Sequence, residues 1–376
     1  MASPTTLFAL LPLLFARPAG ARLPEFSWAT LPVFWHAYNE TGSLGCPFND
    51  AVLSYVSAHP FASATVEKAQ GLSGSDGASS FAEERIAAAL QQLKAAAAAA
   101  GRAMATAAYF NSILDWPYYR LASELQANPS FALVNDTGSP VRLHGDPHFP
   151  QPKDGMLVFD FSQAIVRAWF AGACAALVAN ASGGIDGCFQ DRAGHEAFPG
   201  VRNTSAYDAG HDAVLVDMQA LLPGGFVVAN GHVPAGATGA PGVRATMIEF
   251  FGADDASISA LRAAAAAGLI VQAHAYSAAC AQPETLQSLL AAFLIGAGNG
   301  SYFACSHGWA VDPRWPAPGA SEDWMQWPVD YDRPLGPPCG DAVKAADRWT
   351  RAFGDACRTH VAFNTTTNRG VIDWGN

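Results

Sequence analysis

Basic residues are scarce in this chain: 21 Lys and Arg stand against 32 Asp and Glu, the net charge is -11, and the cations never gather into a run. Nucleic-acid binding draws on counterion release by a basic surface, so that class of partner is excluded, and an acidic surface also disfavours an anionic membrane. Neither a G-x-G-x-x-G nor a P-loop follows the first strand-like segment, which speaks against a nucleotide cofactor. The seven cysteines form no C-x-x-C pair and no Cys/His cluster, so the spacing predicts no metal site and no cofactor of any kind. No Pro/Gly/Ser linker divides the chain and no repeat of high identity is visible, which favours one main domain. No apolar run is long enough to span a bilayer.

What is present begins with an apolar stretch, Leu7 to Ala16, followed by Ala19-Gly20-Ala21. That pattern reads as a secretory signal over residues 1–21, removed on export, so the mature protein is expected outside the cell or in a secretory lumen, with no membrane partner. Asn-x-Ser/Thr sequons at Asn39, Asn135, Asn180, Asn203, Asn299 and Asn364 agree with export and are candidate glycosylation sites. An exported chain carries disulfides, and Cys339 with Cys357 is the pair expected first. The odd total leaves a thiol over, which the apolar surroundings of Cys188 assign to that residue as an inert buried one.

Along the chain, short apolar segments alternate with alanine-rich ones. The strand-like runs are Leu31 to Tyr38, Ser63 to Ala69, Ala103 to Phe110, Ile185 to Asp191, Gly225 to Gly231, Ala245 to Phe251, Gly268 to Ala275 and Ser301 to Ser306. Helices are expected over Phe81 to Gly101, Ala164 to Val178, Ala209 to Leu221, Asp254 to Gly268 and Pro283 to Ile295, several opened by capping residues or closed by glycine. Eight strands alternating with helices predict an α/β fold, a (β/α)8 TIM barrel, with an open doubly wound sheet as the alternative. The barrel is expected over residues 22–330 and a small β extension packed on it over 331–376. Between the third and fourth strands, Asn111 to Phe161 includes "FALVNDTGSPVRL", two short strands around an Asp-Thr-Gly turn, and a β-hairpin insertion over the barrel mouth is expected there.

In such a barrel the site is built at the carboxyl ends of the strands. Those ends supply His36, Tyr38, Glu67, Lys68, Tyr109, Asn111, Asp191, Arg192, Asn230, Glu249, Gln272, His274, His307 and Trp309. Polar groups at the ends of apolar strands cost free energy unless they meet partners or a ligand, so these are candidate substrate-binding residues, together with Trp116. Sugars stack their apolar faces on aromatic rings, and Trp35, Tyr118, Tyr119, Trp324 and Trp327 are placed at the mouth as well. Glycosidic cleavage needs one carboxylic acid to protonate the leaving oxygen and a second carboxylate to attack or to activate water. Alternation in "IDGCFQD" puts Gly187, Phe189 and Asp191 on one side, making Asp191 the nucleophile or base. Glu249, between Ile248 and Phe250, is expected in an apolar setting that would raise its pKa, as a general acid requires. The plainer readings are that these acids cap helices or pair with arginine, that Asp186 is structural, and that Glu67 and Lys68 are an ion pair. His36, His274 and His307 lack metal-ligand spacing.

The segments "VFWHAYNETG", "YFNSILDWPYY", "GMLVFDFS", "IDGCFQDRAG", "VVANG" and "YDRPLGPPCGDA" with "WTRAFGDACRTHVAFNTTT" resemble the hypothetical glycosyl hydrolase-like barrel families over nearly all of the mature chain. A more distant likeness is to endo-α-1,4-polygalactosaminidase and α-galactosidase barrels, in which paired carboxylates follow the fourth and sixth strands. The match of "DGCFQD" to the D-G-x-x-x-D strand of such families implies Asp191 as the catalytic-type acid, and the closing segment implies a strand "HVAFN" after the last helix. The resemblance carries over no substrate. The function expected is therefore a secreted glycosidase acting on an oligo- or polysaccharide. The alternatives are a polysaccharide lyase with Lys68, His274 or Tyr109 as base, and a non-catalytic carbohydrate-binding barrel.

Overall fold

The computed structural model describes residues 25–38, 48–67, 81–145, 147, 151–181, 183–232, 242–311 and 326–375. The expected signal over residues 1–21, together with Asn39, Cys46, Lys68 and Trp324, lies outside these. Eight parallel strands close into a barrel: β1 (Val33–Tyr38), β2 (Phe61–Glu67), β3 (Ala105–Asn111), β6 (Gly187–Asp191), β7 (Phe226–Asn230), β8 (Ala245–Ile248), β9 (Ile270–Tyr276) and β10 (Ser301–Ser306). Each pairs with its neighbour in turn, and β1 returns to β10, so the alternation of the sequence is that of a (β/α)8 barrel and not of an open sheet.

The helix layer follows from composition. Alanine-rich α2 (Ala82–Ala99) lays Ile86, Leu90 and Leu93 on the barrel, while α6 (Asp255–Ala266) starts where the Asp254 carboxylate accepts the Ser257 N–H at 2.8 Å. α4 (Ala164–Asn180), α5 (Ser205–Leu221) and α7 (Pro283–Gly296) occupy the expected stretches, and a short α1 (Asp50–Ala58) precedes β2. Among the described residues no helix is long and apolar enough to cross a membrane.

Gly187 opens β6 where a Cβ would come within 2.0 Å of the Phe226 carbonyl oxygen, so a side chain there would push β7 away. One residue on, Cys188 faces outward and bonds to Cys174 on α4, so it is not the spare buried thiol its apolar surroundings suggested. Apolar neighbours follow equally from a strand face packed under a helix, which is where a bridging cysteine also sits. Cys280 bonds to Cys305 and Cys339 to Cys357, the latter as expected.

After β3 the chain makes α3 (Arg120–Ala127) and then an antiparallel excursion. β4 (Arg142–Leu143) pairs with β5 (Met156–Leu157), and single bridges join Val134 to Pro140 and Ala132 to Phe159. The Asn135 side chain accepts from the backbone of Thr137 and Ser139 and fixes the turn. The end of the chain forms a four-stranded antiparallel sheet of β11 (Val343–Ala345), β12 (Arg348–Phe353), β13 (Thr359–Asn364) and β14 (Arg369–Asp373). It packs on α7 so closely that a Cβ on Gly370 would lie 2.4 Å from that of Ala291. Arg351 donates to the Leu294 carbonyl at the end of α7, and Lys344 and Trp349 bind Asp255 at the start of α6.

Candidate active site

Register brings the first candidates together. Asn111 and Asp191 are direct neighbours at the carboxyl ends of β3 and β6, and β7 ends at Asn230, paired with Met247 of β8. Tyr109 donates its hydroxyl to Asp191 Oδ2 at 2.7 Å and Asn111 Nδ2 donates to the same oxygen at 3.1 Å. Asp191 Oδ1 accepts from Asn230 Nδ2 at 3.0 Å and from the Arg192 backbone N–H at 2.8 Å. Asn230 Nδ2 also donates to Glu249 Oε2 at 2.7 Å, so one amide group stands between the two carboxylates. Asn230 Oδ1 is buried and takes no partner among the described residues.

The chain turns sharply at this point. Arg192 adopts φ +54°, a left-handed conformation that costs a non-glycine residue free energy, and it is held by the Asp191 carboxylate and by Ser112, whose hydroxyl donates to the carbonyls of Asp191 and Arg192. The Arg192 guanidinium is engaged with Glu196 and not with Asp191. The alternative of a capping or arginine-paired acid at Asp191 therefore does not describe its side chain.

Glu249 stands elsewhere than expected within its segment. The strand ends at Ile248, Glu249 begins the following turn, and Phe250 is 73% exposed, so no closed apolar wall flanks this carboxylate. A four-residue strand is shorter than its apolar pattern, because the turn begins at Glu249 and takes in Phe250. The position at the barrel mouth is reached all the same.

A second group lies beside the first. His36 Nε2 contacts Glu67 Oε1 at 2.9 Å, both side chains buried, and the rings of His36 and His274 each stack on Trp309 with centroids 3.9 and 4.1 Å away. Phe189 contacts both His36 and Tyr109, which joins the two groups into one surface. Burial, and then the neighbouring His36, push the His274 imidazole down to about 3, against the Glu249 backbone, which works the other way. Burial with the charges of Asp191 and Glu67 drives the Tyr109 hydroxyl well above its usual range. Burial lifts Asp115 to about 7, with Arg142 opposing it.

The remaining candidates are spread more widely. Gln272 sits deeper in β9 and donates to Ser63 inside the barrel. Tyr38 is buried at the end of β1, Trp35 packs on Phe48, and Trp327 stacks on His59 before β2, at the opposite end of the barrel from the one expected. Trp116 stacks on Tyr118 in the segment after β3. Asp186 is held at the start of β6 by Lys94 and by Thr106, a structural acid as its position implies. Of the sequons, Asn180, Asn203 and Asn299 are exposed, while Asn135, beside a turn, and Asn364, at the end of β13, are half-buried. Sequence reasoning missed Ser112 and the pairing of His36 with Glu67; residues 112 and 67 carry no local signal of partners so distant in the chain.

The family model described as hypothetical glycosyl hydrolase family 15 matches residues 103–357, more than half of the chain and inclusive of Tyr109, Asp191, Asn230 and Glu249. The chain belongs to that family. No curated protein matches it in sequence. Among solved structures, it is similar to the glycoside hydrolase domain of PelA from Pseudomonas aeruginosa, at 16% identity over 74% of this chain and 95% of that one, TM-score 0.43. It is also similar to a family 36 α-galactosidase, AgaA, from Geobacillus stearothermophilus (12% identity, 89% of this chain, 47% of that one, TM-score 0.43). A third similar structure is a family 31 sulfoquinovosidase from E. rectale (13%, 81%, 47%, TM-score 0.47). The chain spans about half the length of the last two.

Proposed function

We propose that this member of the glycosyl hydrolase family cleaves O-glycosidic bonds of an oligo- or polysaccharide with retention of configuration, Asp191 acting as nucleophile and Glu249 as general acid and then base. The observation that carries the reading is the shared Asn230 amide. One nitrogen in contact with both carboxylates holds the two accepting oxygens within about 6 Å of each other, a bound that accommodates the roughly 5 to 5.5 Å separation of retaining pairs.

The roles follow from the surroundings. Four donors converge on Asp191, which suits an acceptor-only carboxylate aimed at an oxocarbenium-like carbon. Glu249 accepts from Asn230 and stands half-buried at the start of a turn at the barrel mouth, where it can reach a leaving oxygen. In the first step Asp191 forms a bond to the anomeric carbon as the glycosidic C–O bond breaks and Glu249 gives its proton to the departing oxygen. In the second, Glu249 takes a proton from water, whose oxygen replaces Asp191 on the same carbon. The unpartnered Asn230 carbonyl oxygen is placed to accept from a sugar hydroxyl beside the reacting carbon.

Of the bases a lyase would use, His274 is buried and poorly basic and Tyr109 gives its proton to Asp191, which favours the hydrolase reading, while Lys68 lies outside the described residues. Export is inferred from the leader-like apolar stretch, the sequons and three disulfides. We read residues 331–376 as an extension of the barrel. The test is hydrolysis of a panel of aryl glycosides and glycans by the wild type, Asp191→Ala and Glu249→Ala. Turnover lost in both variants supports the pair, and turnover kept in either removes it.

A further inference from the structure

Beyond the carboxylate pair, on the same rim of the barrel, three side chains from three separate elements converge. His195 lies in the loop after β6, Asp212 on α5 and His232 just past β7. His195 Nε2 is 2.8 Å from Asp212 Oδ1 and His232 Nε2 is 3.1 Å from the same oxygen, and the three donor atoms all lie within 4.8 Å of one another. We propose that His195, Asp212 and His232 form a binding site for a zinc-class divalent cation that clamps the loops after β6 and β7 to α5.

The donor set points to the metal. Two imidazoles and a carboxylate suit Zn2+ and its borderline neighbours, whereas Ca2+ and Mg2+ take oxygen ligands. A tetrahedral ion with bonds of about 2.0 to 2.1 Å sets its ligands roughly 3.4 Å apart, so the edges from Asp212 to His195 and His232 would lengthen by about 0.6 and 0.3 Å, and the edge between the histidines, at most 4.8 Å, would settle to the same spacing. All three side chains are partly open to solvent, with 43%, 31% and 29% exposure for His195, Asp212 and His232, which leaves a position for water. Local charge agrees. Among the described residues the ion pairs of Asp212 are those with the two histidines, and the nearest arginine of the loop, Arg192, is held by Glu196. A cation would thus meet a carboxylate that, among the described residues, is in an ion pair with no lysine or arginine, in a chain of net charge -11.

The site is separate from the reacting groups yet tied to them. His232 is two residues beyond Asn230 and His195 four beyond Asp191, so an ion holding both would steady the two loops that leave the catalytic strands. Its role is structural, with no step of the hydrolysis passing through it.

The test uses the full mature chain, stripped with chelator and dialysed against Zn2+ at neutral pH, with bound metal counted and Co2+ absorption recorded as a coordination signature. One ion per chain is expected, with affinity falling by at least about tenfold in His195→Ala, His232→Ala and Asp212→Asn. Histidine footprinting with diethyl pyrocarbonate reads the same site in the unmutated protein: Zn2+ should protect His195 and His232 while exposed His360 stays reactive. Absent uptake, uptake unaffected by all three substitutions, or equal labelling of both histidines with and without Zn2+ would overturn the proposal and leave a hydrogen-bonded triad only.

Discussion

Asp191 and Glu249 face each other across one intervening strand, β7, and are joined through the side chain that ends it, with Asn230 Nδ2 at 3.0 Å from the first and 2.7 Å from the second. Each carboxylate is thereby positioned by the other's partner. A shift in either would be felt at both.

Replacing Asn230 should consequently damage the chemistry more than the fold. Asn230→Ala removes a donor to both acids, and a loss of about 10² to 10³ in kcat is expected, the scale seen when one preorganised donor is deleted from a reacting site. Thermal melting checks that stability is kept. A kcat within a factor of about three of wild type would show that the bridge is incidental.

Stability should depend on pH through buried histidines. His274 is pushed down to about 3, and His211 to about 4 by burial, from an ordinary value of 6.5. Between those values the unfolded chain binds more protons than the native one, so their contribution is complete above about pH 6.5. It is lost as pH falls, by up to about 1.4 kcal/mol per pH unit for each. Asp115 runs the other way. With its native pKa raised from 3.8 to about 7, its contribution is present below 3.8 and lost as pH rises toward 7. Melting temperatures measured from pH 3 to 9 should climb to a maximum between about 6 and 7, and His274→Asn should flatten the acid limb.

Much of this was legible in the sequence, for reasons that also mark its limits. The run from Ser301 to Ser306 is bounded by turn residues on both sides, and the strand has those bounds. Alternation placed Asp191 with Phe189 on the inward face, where the Phe189 ring meets His36 and Tyr109. Short-range pattern does not say who meets whom across the barrel. The link from Asn230 to both acids depends on strand register, the triad of His195, Asp212 and His232 on three elements that only the closed fold brings together, and the Cys174 bond to Cys188 on which helix covers β6.

That disulfide is itself open to measurement. It closes a 14-residue span between α4 and β6, and its removal should cost about 3 kcal/mol on loop-closure grounds. Denaturant unfolding of Cys174→Ala/Cys188→Ala against wild type reads this directly. Equal midpoints would mean that the bridge adds nothing to packing already in place.

Whether Asp191 and Glu249 work as a closely spaced pair is read most directly from the anomeric configuration of the first-formed sugar, followed by proton NMR on a cleaved substrate. Retention is expected, with azide rescuing Asp191→Ala to a glycosyl azide of inverted configuration. Inversion in the wild-type reaction would contradict it.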